Sequence, residues 1–209
     1  MTARDLAQTA LFGFLLRPFM TLFIGMRVRG REHLPKQDPF ILVANHSSHL
    51  DTVSLLNLFS LRRIPRLRPV AAADYFQRNK LVFGLSRICF NILPIARKGI
   101  TRDTNPIPQM EAVLRAGQSL LIFPEGTRGG GKEMAHFHSG AAHLIEECPD
   151  VPVVPAYLVN MGRSLPKGER IPVPFFCEVR LGKPRTYEGN CREITAALES
   201  AVRELRDMT

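Results

Sequence analysis

The 209-residue chain reads as one α/β domain: a mixed, partly parallel sheet flanked by helices, preceded by an apolar N-terminal helical segment. Three observations predict this. Short apolar runs without alternation, such as Phe40–Ala44 and Ser119–Phe123, read as strands buried on both faces. Segments of helical period separate such runs. Both runs also end abruptly, in Asn45-His46-Ser47-Ser48 and in Pro124-Glu125-Gly126, where a strand gives way to a turn or a new helix.

In chain order, the N-terminus comes first. Ala10–Leu16 and Phe19–Met26 are apolar and are separated by Arg17-Pro18. A spanning helix needs about 20 apolar residues without interruption, which neither half reaches, and proline is expected to break a single helix here. Before residue 32, Arg4, Arg17, Arg27, Arg29 and Arg31 stand against one acid, Asp5. The pattern predicts an interfacial or re-entrant membrane-associating segment over residues 1–31, with the folded domain over residues 32–209. A helical hairpin packed on the domain is the competing reading. A signal peptide fits poorly, because Arg17 splits the apolar core and no small-residue cleavage site follows it.

Downstream, strands are predicted at Phe40–Ala44, Pro69–Ala72, Asn91–Ile95, Ser119–Phe123, Val153–Leu158 and Phe175–Leu181. Helices are predicted at Asp51–Phe59, Tyr75–Arg87, Pro106–Ala116, Gly140–Cys148 and Cys191–Arg206. The helix after Pro106 places Ile107, Met110 and Leu114 on one face, with Gly117 as its stop. The last helix opens with Asn190 and Glu193 in capping-box spacing and carries Ile194, Leu198, Val202 and Leu205 on one stripe. Gly129–Gly131 reads as a flexible loop, and Asn160–Pro172 as an irregular insertion.

Lys and Arg number 28 against 19 Asp and Glu, a net charge of +9 that favours anionic partners. Nucleic acid is the weaker reading, since no zinc pattern, RNP-like block or unbroken basic helix is present. Leu61–Arg68 interleaves arginine with aliphatic residues, as expected of an anionic membrane surface or of a solvated loop. The four cysteines are scattered without a CxxC pair and read as reduced thiols. His136, His138 and His143 cluster loosely, but no cysteine or carboxylate completes a recognisable ligand set, so no metal is expected.

Two islands carry the chemistry. In Asn45-His46-Ser47-Ser48-His49-Leu50-Asp51, a histidine and an aspartate stand five residues apart at a strand exit. On one continuous helix they would be rotated by about 140° and could not meet. They meet only if His46 leaves the strand and Asp51 comes from the new helix, and a carboxylate holding an imidazole in one tautomer is the usual way to make a general base. In Pro124-Glu125-Gly126-Thr127-Arg128, exposed backbone, a hydroxyl and a guanidinium fork suit a phosphate monoester. Taken singly, the first island fits chance spacing better than a dyad, and the second fits an ordinary polar turn.

Together they resemble the glycerolipid acyltransferases, whose best-known members are the 1-acylglycerol-3-phosphate acyltransferases. That family's NHxxxxD block stands at Asn45–Asp51 and its FPEGTR block at Phe123–Arg128. A third block, an arginine after a short apolar run, matches Leu93–Arg97, and a fourth, a proline-containing apolar strand, matches Val151–Ala156. One position departs: Phe137-His138-Ser139-Gly140 stands where the family often reads Phe-Lys-x-Gly, a titratable group in place of a permanent cation.

The resemblance implies a glycerolipid acyltransferase-type fold, an acyltransferase domain over residues 32–209, and attachment to the cytoplasmic face of a membrane. It implies transfer of a fatty acyl group from acyl-CoA or acyl carrier protein to a lysophospholipid, foremost 1-acylglycerol-3-phosphate. No cofactor beyond the thioester co-substrate is implied. His46 is then the base that deprotonates the acceptor hydroxyl, and Asp51 holds its imidazole. Arg128 is first choice for the acceptor phosphate, with Thr127 and the Gly126 backbone assisting and Arg97 as second cation. Glu125 is assigned to the acceptor glycerol. Ser47 and Ser48 fit better as helix-capping residues than as nucleophiles. Another lysolipid acceptor, a hydrolase using the same base on water, and a non-catalytic lipid-binding protein of the same fold are the alternatives.

Overall fold

A computed structural model of the chain describes residues 2–73, 84, 88–97, 99, 101, 104–127, 134–166, 169 and 171–208. Its centre is a seven-stranded sheet: β1 (Met26–Arg29), β2 (Ile41–Ala44), β3 (Leu67–Ala72), β4 (Leu93–Ile95), β5 (Ser119–Ile122), β6 (Val153–Val159) and β7 (Cys177–Leu181), in the spatial order β1-β7-β6-β2-β5-β3-β4. Every neighbouring pair is parallel except β6 and β7. A strand in the middle of such a sheet has helices on both faces and must be apolar throughout. Accordingly β2 alternates between two cores. Leu42 and Ala44 face one; Ile41 and Val43 face the other.

The first face is covered by α1 (Ala3–Ile24), α2 (Leu50–Leu56) and the short α5 (Met161–Ser164). Phe12, Met20, Leu55 and Met161 pack there with Phe40 and Val179. The second face is covered by α3 (Ile107–Arg115), α4 (Gly140–Glu147) and α6 (Cys191–Arg206). The stripes read from the sequence point into this core: Met110, Leu114, Ile194, Leu198 and Val202 are all buried. The Asn190 capping box also forms, with the Asn190 side chain accepting from Glu193 N and the Glu193 carboxylate accepting from Asn190 N.

The N-terminal segment departs from expectation in two respects. Arg17-Pro18 does not divide it. Helix α1 runs through the proline as one 22-residue helix, long and apolar enough by length and composition to cross a membrane. Wider π-type hydrogen bonding at Leu11–Leu16 and Phe19–Ile24 accommodates the missing donor. The helix is also two-faced. Phe12, Met20 and Ile24 are buried in the domain, with Leu16 and Phe19 packed beside them, whereas Phe14 is 87% and Leu22 84% exposed. Several arginines expected to flank it as free cations are used internally. Arg17 donates to the Phe59 carbonyl, Arg31 to the Leu58 carbonyl, and Arg29 pairs with Glu178 at 2.9 Å.

The sheet itself begins inside residues 1–31, since β1 pairs in register with β7 from Met26↔Cys177 to Arg29↔Arg180. The predicted helix Tyr75–Arg87 and the loop Gly129–Gly131 lie outside the described residues, apart from Gly84, which is helical. The insertion Asn160–Pro172 contains the single turn α5.

Gly30 ends β1 with a left-handed φ of 73°, and a Cβ there would stand 2.2 Å from the Leu181 carbonyl oxygen. Gly30→Ala should therefore destabilise the fold by about 2–3 kcal/mol, read from urea unfolding in detergent. Gly140→Ala, at the open first turn of α4, should change stability by no more than about 1 kcal/mol. Equal stability of the two variants would contradict the docking of β1 on β7.

Candidate active site

Because β2 to β6 are mutually parallel, their C-terminal ends open on one edge of the sheet, the usual place for a ligand in an α/β fold. The exits of β2, β4 and β5 therefore bring His46, Arg97 and Glu125–Thr127 to the same edge. Chain order alone does not reveal this, since His46 and Glu125 are 79 residues apart.

At the β2 exit the chain turns sharply into α2, and Asp51, in the first turn of that helix, reaches back. Its Oδ2 lies 2.8 Å from His46 Nδ1 and accepts from the backbone amides of Ser47 at 2.6 Å and Ser48 at 2.8 Å. The carboxylate is 0% exposed, so three donors, not water, fix its position. With Nδ1 engaged, a neutral His46 carries its proton there and presents Nε2 as an acceptor, the state a general base requires. The ring stacks on Phe123 at 4.2 Å and an interplanar angle of 17°.

Further contacts hold the turn. Asn45 accepts from Leu158 N at 2.7 Å and donates to Leu158 O at 3.1 Å, clamping the β2 exit to β6. Ser48 donates to Leu165 O at 2.9 Å and accepts from Leu50 N, so it serves the helix start as expected. The Ser47 side chain makes no capping bond to α2; its backbone amide serves Asp51 instead. His49 is exposed at the N-terminus of α2.

Glu125 lies elsewhere than the acceptor glycerol contact assigned to it would suggest. It is 3% exposed, and its two oxygens accept from His46 N at 2.7 Å and Ala135 N at 2.9 Å. Burial pushes its carboxyl above the usual range, and the two amides pull the other way. The side chain thus ties the first island to the second and braces the backbone of the histidine. Gly126 has a left-handed φ of 69°, and a Cβ there would meet the His138 ring at 3.0 Å. The residue that departs from the family pattern therefore stands against Gly126, with its ring exposed. Arg97 donates to the Gly126 carbonyl, which joins the third block to the second. Thr127 is exposed, and Arg128 lies outside the described residues.

The histidines do not group as the sequence suggested. His136 pairs with Glu199 at 3.0 Å. His143 instead meets Glu146 and Cys191, with ligand-type atoms all within 4.8 Å of one another. The cysteine and carboxylate that the sequence reading missed come from one helical turn and from the start of α6. His143 and Glu146 already pair at 3.2 Å on the surface, as an i,i+3 pair does without a metal. A 770 Å³ cleft runs beside α6, between His136, His143 and Arg203, and contains neither His46 nor Asp51.

Sequence reasoning overlooked the Asn45 clamp, the Phe123 stack and the bracing role of Glu125. The first two involve the opening residues of the motif blocks and are suggested by their strand-end positions; the third depends on a contact far apart in sequence. Glu125→Gln keeps the size but sets an amide NH₂ against a backbone donor. It should cost about 1–3 kcal/mol of stability and reduce kcat. Unchanged stability with a raised KM for the acceptor would instead indicate the glycerol contact.

Comparison with known proteins identifies the family of the chain. Residues 25–159 match the model of the acyltransferase family. The 1-acyl-sn-glycerol-3-phosphate acyltransferase alpha of Mus musculus is 29% identical over 182 residues, 86% of this chain and 61% of the relative. A probable 1-acyl-sn-glycerol-3-phosphate acyltransferase of Mycoplasma pneumoniae is 30% identical over 130 residues, 62% of this chain and 47% of the relative. This chain thus spans about three-fifths of the mouse relative's length. The crystal structure of the 1-acyl-sn-glycerophosphate (LPA) acyltransferase PlsC from Thermotoga maritima has the same fold, with a TM-score of 0.77 at 22% identity over 98% of this chain and 80% of that one. With the family match covering more than half of its length, this chain belongs to the acyltransferase family.

Proposed function

We propose that the protein transfers a fatty acyl group from an acyl thioester, acyl-CoA or acyl carrier protein, to the free hydroxyl of a lysophospholipid, foremost 1-acylglycerol-3-phosphate, giving phosphatidate. The observation that carries the reading is the 2.8 Å bond between His46 Nδ1 and the buried carboxylate of Asp51. The names of the relatives, acyltransferases for 1-acyl-sn-glycerol-3-phosphate, support this choice of acceptor.

In this mechanism His46 Nε2 removes the acceptor hydroxyl proton as the alkoxide oxygen attacks the thioester carbonyl. The tetrahedral intermediate collapses, the carbon–sulfur bond breaks, and the imidazolium returns the proton to the leaving thiolate. Asp51 stabilises the imidazolium formed between these steps. Arg128 and Arg97 are the cations for the acceptor phosphate, with Thr127 and the Gly126 backbone as further donors. Glu125 holds the base in place. The chain from β1 onward acts as the acyltransferase domain, six residues earlier than the boundary read from the sequence, and α1 attaches it to an anionic membrane surface on the cytoplasmic side. Because Phe12, Met20 and Ile24 of α1 are buried in the domain, the helix lies along the interface with Phe14 and Leu22 toward lipid.

Purified protein reconstituted in vesicles with labelled acyl thioester and a panel of lysolipids tests the reading. Thioester consumption should depend on the acceptor; equal consumption without acceptor would indicate a hydrolase. His46→Ala should lower kcat by roughly a hundredfold or more. Asp51→Asn should act mainly on kcat, and the double variant should be little worse than His46→Ala, because the pair acts as one unit. Arg128→Ala should cost about 2–4 kcal/mol in kcat/KM for phosphorylated acceptors and less for acceptors lacking the monoester. Near-normal turnover of His46→Ala would refute the base, and equal losses for both acceptor classes would refute the phosphate contact.

A further inference from the structure

We propose that the stretch Ile171-Pro172-Val173-Pro174-Phe175-Phe176 is a second lipid-facing element, entering the headgroup–acyl boundary of a bilayer beside the C-terminal end of α1. The proposal rests on the membrane-anchoring reading of α1 given above. Ile171, Val173 and Phe176 are 80%, 53% and 57% exposed, and the six residues carry no charge. Large apolar side chains grouped on a surface mark an interaction site rather than ordinary surface.

Part of the backbone here is already partnered within the protein. Entering lipid is costly for any unpaired amide or carbonyl. Pro172 and Pro174 have no N–H to satisfy. Val173 N donates to Ser164 O at 2.8 Å, Phe175 O accepts from the Ser164 hydroxyl at 3.0 Å, and Phe176 O accepts from the Asn160 side chain at 3.2 Å. These groups can leave water without losing a partner, while the apolar side chains gain by leaving it.

The sheet fixes where the stretch lies. Helix α1 ends at Ile24 and the exposed stretch at Phe176, and the next paired residues are Met26↔Cys177. The two therefore enter the sheet side by side, and a Cβ on Gly25 would stand 3.9 Å from the Phe176 ring. Leu22 and Phe23, exposed on the last turn of α1, extend the same apolar surface. Since β7 runs antiparallel to β6, the N-terminal ends of β1 and β7 lie at the edge where β2 delivers His46. A lipid acceptor could then present its headgroup to the dyad while its chain stays in the bilayer. Charge fits the same partner: the Arg163 guanidinium lies 4.1 Å from the Phe175 ring centroid, and Arg27 is exposed next to Met26. Cations beside apolar anchors suit anionic lipid better than a protein partner.

The chain contains no tryptophan, so one introduced tryptophan reports its own surroundings. Three full-length variants, Val173→Trp, Leu22→Trp and, as a far-side control, Ala197→Trp on the exposed face of α6, are reconstituted in phosphatidylethanolamine–phosphatidylglycerol vesicles with or without bromine on the acyl chains. The proposal expects a blue shift and bromine quenching at positions 173 and 22, and neither at 197. Quenching at 22 but not at 173 overturns the proposal and leaves the anchor standing. Quenching at 173 alone supports the lipid contact of this stretch and removes the anchor reading. No quenching at either position refutes both. A blue shift at 173 without bromine quenching reports a protein contact, and quenching equal to that at 197 shows no preferred face; each overturns the proposal.

Discussion

A buried carboxylate oxygen organises this molecule. Asp51 Oδ2 collects the imidazole of His46 and the amides of Ser47 and Ser48. A carboxylate with 0% exposure is tolerated only when donors replace its water. Here those donors come from the turn that delivers the histidine. The orientation of the ring and of the two turn amides is therefore one structural decision, and removing the carboxylate takes that shared partner from all three.

The sheet extends that decision outward. Parallel β2 and β5 release their chains side by side, which lets Glu125 accept from the His46 amide, and parallel β4 supplies Arg97 to the Gly126 carbonyl. On the other side, the Asn45 clamp fixes the same turn to β6. The one antiparallel pairing, β6 with β7, brings the starts of β7 and β1 to the edge where His46 stands. Apolar surface and dyad consequently share one end of the domain.

The most legible parts of the sequence were those governed by local rules. Strands β2 and β5 were readable because burial on both faces forbids alternation, and α6 because Asn190, Glu193 and its stripe agree with one another. The His46–Asp51 contact was readable because five residues that cross a strand-to-helix junction, unlike five along one helix, can bring the two side chains together. Strand β1 was not, since Met-Arg-Val-Arg alternates as an edge strand does and adjoins an apolar helix that draws it into the wrong element. The continuity of α1 was hidden by Pro18, whose local penalty is absorbed by π-type turns and by packing of Phe12, Met20 and Ile24. The amide contacts of Glu125 were hidden for a different reason. Whether a carboxylate meets a ligand or two distant amides is decided by strand order, which no short window of sequence contains.

The central claim is that Asp51 holds His46 with its proton on Nδ1, leaving Nε2 free to accept one. Nitrogen-15 NMR of histidine-labelled protein in micelles, with His46 assigned from a His46→Gln spectrum, reads this directly. At a pH where the ring is neutral, the account predicts a protonated Nδ1 and an unprotonated Nε2 for His46, with that preference weakened in Asp51→Asn. A His46 ring protonated on Nε2, or a tautomer indifferent to the loss of the carboxylate charge, would contradict it.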